Sequence, residues 1–247
     1  MNNASTWPYP KWIAHRGAGQ RAPENTLAAF KLGASLGYLM FECDVQVSSD
    51  GVPFLLHDDT LDRTTSGSGL ACERTWSELR ALDAGSWHSQ PYAAEPIPSL
   101  DEVGRFCRER GLLLNLEIKP SAGQEERCGR LIAQAVVRDW SEQGRLGAWP
   151  LLSSFQPEAL RAAQLAAPEL PRALLLESLK PGSLDVALSL GCVAVILEAS
   201  QWQPEYVVAV DALGMACATY TVNDARRGRE LTAFGVTGFI TDVLDPD

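Results

Sequence analysis

The sequence predicts an α/β fold, a (β/α)8 TIM barrel spanning residues 1–247 as one domain, with a small insertion after the second strand. Three observations carry this. Beyond Pro98, short apolar runs alternate with amphipathic stretches, a pattern that requires parallel strands joined by crossover helices. Eight such units can be counted along the chain, which favours a closed barrel over an open doubly wound sheet, and 247 residues suit a fold that usually takes about 250. No G-x-G-x-x-G follows the first strand, so the dinucleotide-binding alternative lacks its phosphate loop.

Trp12–His15 reads as the first strand and Gly17-Ala18-Gly19 as the loop after it. In Asn25–Leu36 the apolar residues Leu27, Phe30 and Ala34 fall at helical spacing, with Asn25 or Thr26 as cap and Gly37 as stop. Leu39–Val47 is the second strand. Asp50-Gly51 then signals a hairpin that returns Val52–Leu56 antiparallel. From about 58 to 98 the pattern is irregular, with one amphipathic piece at Trp76–Leu82. That length is too great for a structureless connection, so it is read as an inserted subdomain over the strand ends. Ser99 opens a helix to Arg110. Strands follow at Leu112–Ile118, Leu151–Phe155, Arg172–Leu176, Val193–Leu197, Met215–Thr221 and Gly238–Thr241. Helices separate them at Glu125–Trp140, Glu158–Ala167, Leu184–Leu190, Pro204–Leu213 and Asp224–Phe234.

An apolar fraction of 46% with 21% charged residues is that of a globular chain with a sizeable core. The net charge of −10 speaks against nucleic acid or an anionic bilayer as partner, so an anionic ligand must be met by a local cluster of cations. The start, Met1 to Pro8, has neither the basic nor the apolar region of a secretory signal, and no run reaches the roughly 18 apolar residues of a membrane span. The six cysteines are scattered singly with no C-x-x-C pair, which reads as reduced thiols. A cytoplasmic protein without stable membrane association is the expectation.

Catalytic groups of such barrels sit at the carboxyl ends of strands. His15 ends the first strand, and His57, with Asp58 beside it, ends Phe54-Leu55-Leu56. The two-residue period of a strand puts Glu42 with Asp44 on one face, and Glu117 with Lys119 on one face. Three hard oxygen donors suit Ca²⁺ or Mg²⁺ and are a poor set for Zn²⁺. Plain ion pairing with Arg16 and Lys119 is the structural alternative, but two cations leave one acid over. His15 and His57 suit acid and base work near neutral pH. Arg16 and Lys119 suit a phosphate, with salt bridging as the plainer role. Trp76, Trp87, Phe155 and Tyr220 are read as walls of a small pocket or as core, His88 as a surface residue, and Asp62-Arg63 as ordering its own loop.

Several stretches carry a resemblance: Ala14-His15-Arg16-Gly17, Ala22-Pro23-Glu24-Asn25-Thr26, Glu42-Cys43-Asp44-Val45, His57-Asp58-Asp59-Thr60, Asn115-Leu116-Glu117-Ile118-Lys119, Ser153-Ser154-Phe155, Tyr220-Thr221-Val222-Asn223 and Gly238-Phe239-Ile240-Thr241-Asp242. Together they resemble the glycerophosphodiester phosphodiesterases nearly end to end. The run Ala166 to Arg172 and the short start are most similar to the bacterial cytoplasmic type associated with the glycerol-3-phosphate uptake (Ugp) system. The resemblance implies His15 and His57 as the acid/base pair, with His15 the base in the first step. It implies Arg16 and Lys119 as phosphate contacts and Glu42, Asp44 and Glu117 as ligands of a divalent Ca²⁺ or Mg²⁺, while Phe155 and Tyr220, as pocket walls, are expected to bind substrate. A small-molecule glycerophosphodiester is the implied substrate. Glu198 departs from the pattern, standing where an Asn is usual, and bears on head-group preference. Two other readings are a phospholipase D-like or phosphoinositide-cleaving barrel on intact lipids, and a non-catalytic sensor of a phosphorylated ligand.

Overall fold

The structure is a computed structural model that describes residues 7–145 and 149–243. Residues 1–6, within the Met1 to Pro8 start in which no secretory signal is expected, lie outside the described residues.

In chain order the elements are β1 (Trp12–Ala14), α1 (Leu27–Ser35), β2 (Met40–Val47), β3 (Pro53–Leu55), α2 (Trp76–Leu79), α3 (Leu100–Arg110), β4 (Leu113–Ile118), α4 (Glu125–Arg145), β5 (Leu151–Ser154), α5 (Pro157–Ala166), β6 (Arg172–Leu176), α6 (Ser183–Ser189), β7 (Ala194–Glu198), α7 (Pro204–Ala212), β8 (Ala216–Tyr220), α8 (Ala225–Phe234) and β9 (Gly238–Thr241). The parallel strands run β1-β9-β8-β7-β6-β5-β4-β2, and a bridge between Ala14 and Phe41 joins β1 to β2 and closes the barrel. The closed eight-stranded barrel is the fold the sequence predicts. Strand β2 outruns β1, and its last residues, Val45–Val47, take β3 as an antiparallel partner on the edge that β1 leaves free.

The strands sort their side chains with the period of two expected of a sheet buried on both faces. On β2, Phe41, Cys43 and Val45 point outward into a core shared with Phe30, Val103 and Cys107 of α1 and α3. Met40 points inward and joins Ile13, Leu151, Ala173, Leu175, Ala194, Ile196, Ala216, Ala218 and Ile240 inside the barrel. Trp7 and Tyr9 pack on this inner cluster, and the Trp7 ring lies where a side chain at Gly238 would begin. Glu42 and Asp44, two and four residues beyond Met40, are thereby carried up the inner face toward the carboxyl end.

Local signals set the element ends. Thr26 caps α1, accepting from the Ala29 N–H at 3.3 Å, while Asn25 adopts a left-handed φ of 60° and serves another purpose, described below. Ser99 and Glu102 form a reciprocal capping box on α3, and Gly111 ends that helix at φ 64°. Helix α4 runs to Arg145 and not to Trp140, and the expected piece at Trp76–Leu82 is a single turn, Trp76–Leu79.

The stretch after β3 is mostly turns around its own small core of Phe54, Leu56, Leu61, Leu79, Ala84 and Ile97. His88 is half-buried and not a free surface residue: its Nε2 lies 3.0 Å from the Gln20 carbonyl, so the ring fastens this stretch to the loop after β1.

Candidate active site

His15 directly follows β1, and its Nδ1 donates to Asp242 Oδ1 at 2.6 Å. Asp242 directly follows β9 and is itself held by Asn223, whose amide donates to Oδ2 at 2.9 Å and whose Oδ1 accepts the Asp242 N–H at 2.9 Å. His57, just beyond β3, repeats the arrangement, with Nδ1 donating to Asp58 Oδ1 at 2.6 Å. Arg63 clamps Asp58 through two bonds of 2.7 and 2.9 Å and reaches Glu24 with two more, of 2.9 and 2.8 Å. Each imidazole thus has Nδ1 fixed by a carboxylate, which turns Nε2 toward the other polar groups of the site. Arg63 does not merely order its own loop, as the sequence led one to expect; it ties the loop after β1 to the base of His57.

The carboxylates of Glu42, Asp44 and Glu117 gather so that one oxygen from each lies within 4.8 Å of the others. Asp44 is the most heavily partnered. Asn25 donates to its Oδ2 at 2.8 Å and accepts its backbone N–H at 3.1 Å, while Arg16 Nε stands 3.3 Å and Lys119 Nζ 3.7 Å away. Glu117 receives Lys119 at 3.2 Å. Among the described residues no Arg or Lys pairs with Glu42; its Oε2 accepts the Arg16 backbone N–H at 3.1 Å and faces His15 Nε2 at 3.8 Å. Its Oε1 is buried with no hydrogen-bond partner. The acid left over is therefore Glu42. Three oxygen donors of this kind, one with an unused buried atom, fit a hard divalent cation. Arg16 holds the unusual φ of 51° that turns its N–H onto Glu42 while its guanidinium bonds Glu24 at 2.8 Å.

Electrostatics separates these groups. Burial and the Asp44 charge push the Glu42 carboxyl well above the ordinary carboxylate range, and Glu117 is raised by the same causes in the same order. Burial would raise Asp44 too, but Arg16, Lys119 and His57 outweigh it and hold it low. Burial opposes protonation of His15, yet the Asp242 bond and the Glu42 charge prevail and its pKa rises. Burial lowers His57, and the Arg16 and Lys119 charges add to that. Lys119 donates to His57 Nε2 at 2.8 Å, as a neutral imidazole allows. Burial and the surrounding charges thus move the two imidazoles in opposite directions, His15 up and His57 down.

Two spaces meet at Phe155 and Glu117. One is a deep chamber of about 30 Å³ lined by His15, Glu42, Asn115, Glu117, Phe155 and Tyr220. The other is an open groove of about 410 Å³ past His57, Asp58, Lys119 and Gln156. Phe155 and Tyr220 pack edge to face at 5.6 Å across the chamber wall, and Tyr220 O–H donates to the Leu176 carbonyl at 3.2 Å. Trp76 instead packs on the core of the inserted stretch, and Trp87 is exposed with its indole N–H on the Ala84 carbonyl. Neither lines the chamber. Glu198, paired in register with Tyr220, has Oε2 turned back onto the N–H and hydroxyl of Ser200. A larger groove, about 860 Å³, runs outside the barrel between α4 and α5 and holds none of these groups.

Asp242, Asn223, Glu24, Asn25 and Arg63 were given no catalytic part in the sequence reading. Asp58 alone left a local signal, as the carboxylate next to a histidine.

A barrel with paired imidazoles, clustered acids and two cations at its carboxyl end is the architecture of an enzyme that handles phosphate esters. The glycerophosphoryl diester phosphodiesterase family model matches residues 15–246. The chain belongs to that family and is an enzyme of that class. It is 33% identical over 239 residues to the glycerophosphodiester phosphodiesterase of Caldanaerobacter subterraneus subsp. tengcongensis, covering 95% of this chain and 94% of the relative. A solved phosphodiesterase of Oleispira antarctica, in complex with the product sn-glycerol-3-phosphate, is 35% identical with a TM-score of 0.85, over 94% of this chain and 93% of that one. A glycerophosphodiester phosphodiesterase of Agrobacterium tumefaciens str. C58 is 27% identical with a TM-score of 0.77, over 96% and 98%.

Proposed function

We propose that the chain hydrolyses glycerophosphodiesters to sn-glycerol 3-phosphate and the head-group alcohol, with His15 and His57 moving the protons. The observation that carries this is the pair of imidazoles, each fixed at Nδ1 by a carboxylate at 2.6 Å, beside the three-acid cluster. The Oleispira relative, solved with that same product, supports the choice of substrate.

Glu42, Asp44 and Glu117 would hold Ca²⁺ or Mg²⁺, which supplies positive charge against the diester oxygens. Arg16 and Lys119 offer further charge to the phosphate and stabilise the negative charge that grows on it. One imidazole takes the proton of the attacking oxygen as its bond to phosphorus forms. The other protonates the leaving alkoxide as the second phosphorus–oxygen bond breaks. If the attacking oxygen is the neighbouring glycerol hydroxyl, this step releases the head-group alcohol and leaves a cyclic phosphate, which water then opens with the two histidines in exchanged roles; if it is water, sn-glycerol 3-phosphate forms in the one step. Imidazoles tuned in opposite directions are what such a division of labour requires. Phe155 and Tyr220 wall the substrate on its apolar side.

The barrel and its insertion act as one unit on small, deacylated substrates in the cytoplasm. The free state of all six cysteines supports a reducing compartment, and among the described residues no helix is long and apolar enough to cross a membrane. The Ala166 to Arg172 run supports the type associated with glycerol-3-phosphate uptake.

The test is release of sn-glycerol 3-phosphate from glycerophosphocholine and glycerophosphoethanolamine, with EDTA or with added Ca²⁺ or Mg²⁺. Ion-dependent release from deacylated substrates, and not from their diacyl parents, is expected. Turnover of the intact lipids alone overturns the substrate assignment, and full activity in EDTA overturns the ion.

A further inference from the structure

We propose that Asn115 is the floor of the polyol subsite, its carboxamide taking one hydroxyl of the esterified glycerol. This rests on the substrate reading above and extends it to a residue that nothing so far assigns. Asn115 sits in the middle of β4 with 0% of its surface exposed. It pairs in register with Glu42 on β2 and Leu151 on β5, so it shares the inner face with Leu113 one step below and Glu117 one step above. Its side chain lines the deep chamber with His15, Glu42, Glu117, Phe155 and Tyr220.

Among the described residues neither Nδ2 nor Oδ1 of this amide has a hydrogen-bond partner. Buried amides are almost always paired, and an unpaired one weakens the fold. Asn25 shows how the same barrel treats a structural amide: both its ends are spent on Asp44, at 2.8 and 3.1 Å. Elsewhere the inner face carries Leu151, Leu175, Ile196 and Ile240, which pose no such problem. An aliphatic side chain, like that of Leu151 beside it, would leave no polar atom unpaired, so the amide is best accounted for by something that enters the chamber.

The chamber decides what enters. About 30 Å³ admits one or two hydroxyl-sized groups and no bulky head group. A carboxamide offers one acceptor and one kind of donor, and a hydroxyl answers both. On the neighbouring strand the residue in register with Asn115 is Leu151, so at this level the amide is the polar group and β5 offers none. The polyol end then points inward, and the head group lies in the wide groove past Lys119 and Gln156.

The experiment is calorimetric binding of sn-glycerol 3-phosphate and of n-propyl phosphate, at fixed Ca²⁺, to the wild-type protein and to Asn115→Leu. The two ligands share a three-carbon phosphate monoester and differ in the hydroxyls. The wild type should prefer the glycerol ester. Asn115→Leu should lose about tenfold of that preference, the scale of one hydrogen bond in a closed site, while its affinity for propyl phosphate holds. A merely structural role would weaken both ligands together, and that result, or an unchanged preference, overturns the proposal. Should the leucine variant fail to fold, Asn115→Ala must show the same loss of preference. A wild type that does not distinguish the two ligands overturns the glycerol assignment of the whole site, an outcome separate from retention of the preference by the variant.

Discussion

The inner faces of β2 and β4 and those of β6, β7 and β8 are built on the same repeat, yet they carry opposite chemistry. Rising through the barrel, β2 presents Met40, Glu42 and Asp44, and β4 presents Leu113, Asn115 and Glu117. Across the interior, β6 presents Ala173 and Leu175, β7 presents Ala194 and Ile196, and β8 presents Ala216 and Ala218. One wall is polar and incompletely paired; the other is apolar and close-packed. Charges that face a dry wall are screened less and act on a bound anion more strongly than they would in water. The contrast teaches that the fold supplies equivalent positions and that a few substitutions on one arc make a site of them.

The largest break in this asymmetry comes from removing an imidazole on the polar arc. His57→Ala and His15→Ala should each lower turnover of glycerophosphocholine by about 10²–10⁴-fold with the circular dichroism unchanged. Full activity in either variant would take that histidine out of the chemistry. Next in size is the ion. Saturating Ca²⁺ or Mg²⁺ at about a hundred times its dissociation constant should stabilise the wild type by about 2.7 kcal/mol. That raises the melting temperature by about 5–10 °C. Glu42→Gln, which takes charge from the member of the three-acid cluster that no described Arg or Lys pairs with, should abolish most of this ion-dependent shift; an undiminished shift would place the ion elsewhere.

A smaller effect is expected from Arg63→Met, which keeps bulk but releases Asp58 from its two bonds. Turnover should fall about tenfold, the scale of losing an outer orienting partner, while ion-dependent stabilisation stays intact. Equal damage to both would mean that Arg63 supports the acids and not the imidazole. The apolar arc provides the control. Ile196→Val should cost about 0.5–1.5 kcal/mol of stability in chemical denaturation and leave turnover as it was. A large change in turnover would show that the dry wall takes part in the chemistry after all.

How far the sequence shows this asymmetry depends on the distance between partners along the chain. The alternation of Glu42 with Asp44, and of Glu117 with Lys119, is local, and so is the ending of apolar runs in His15 and His57. Barrel closure follows from counting units. What stays hidden are partners supplied from far away: Asp242 for His15, Glu24 for Arg63, and Asn25 for Asp44. Each is a polar residue in a loop, where a carboxylate or amide is unremarkable by composition. His88 misled for the same reason, since a polar stretch gives no sign that its ring reaches the Gln20 carbonyl. For Trp76 and Trp87 aromatic size leaves pocket wall and core equally open; the inserted stretch takes Trp76 onto its own core and leaves Trp87 exposed.

The bond between His15 and Asp242 joins residues 227 positions apart, one after the first strand and one after the last. An orienting carboxylate from the final strand means that no assembly of the earlier units alone can align this imidazole, however well those units pack. During refolding, recovery of turnover should therefore track the docking of β9 and lag behind recovery of helical signal. The ring must be complete before it can work, and the reaction itself reports that the two ends of the sheet have met.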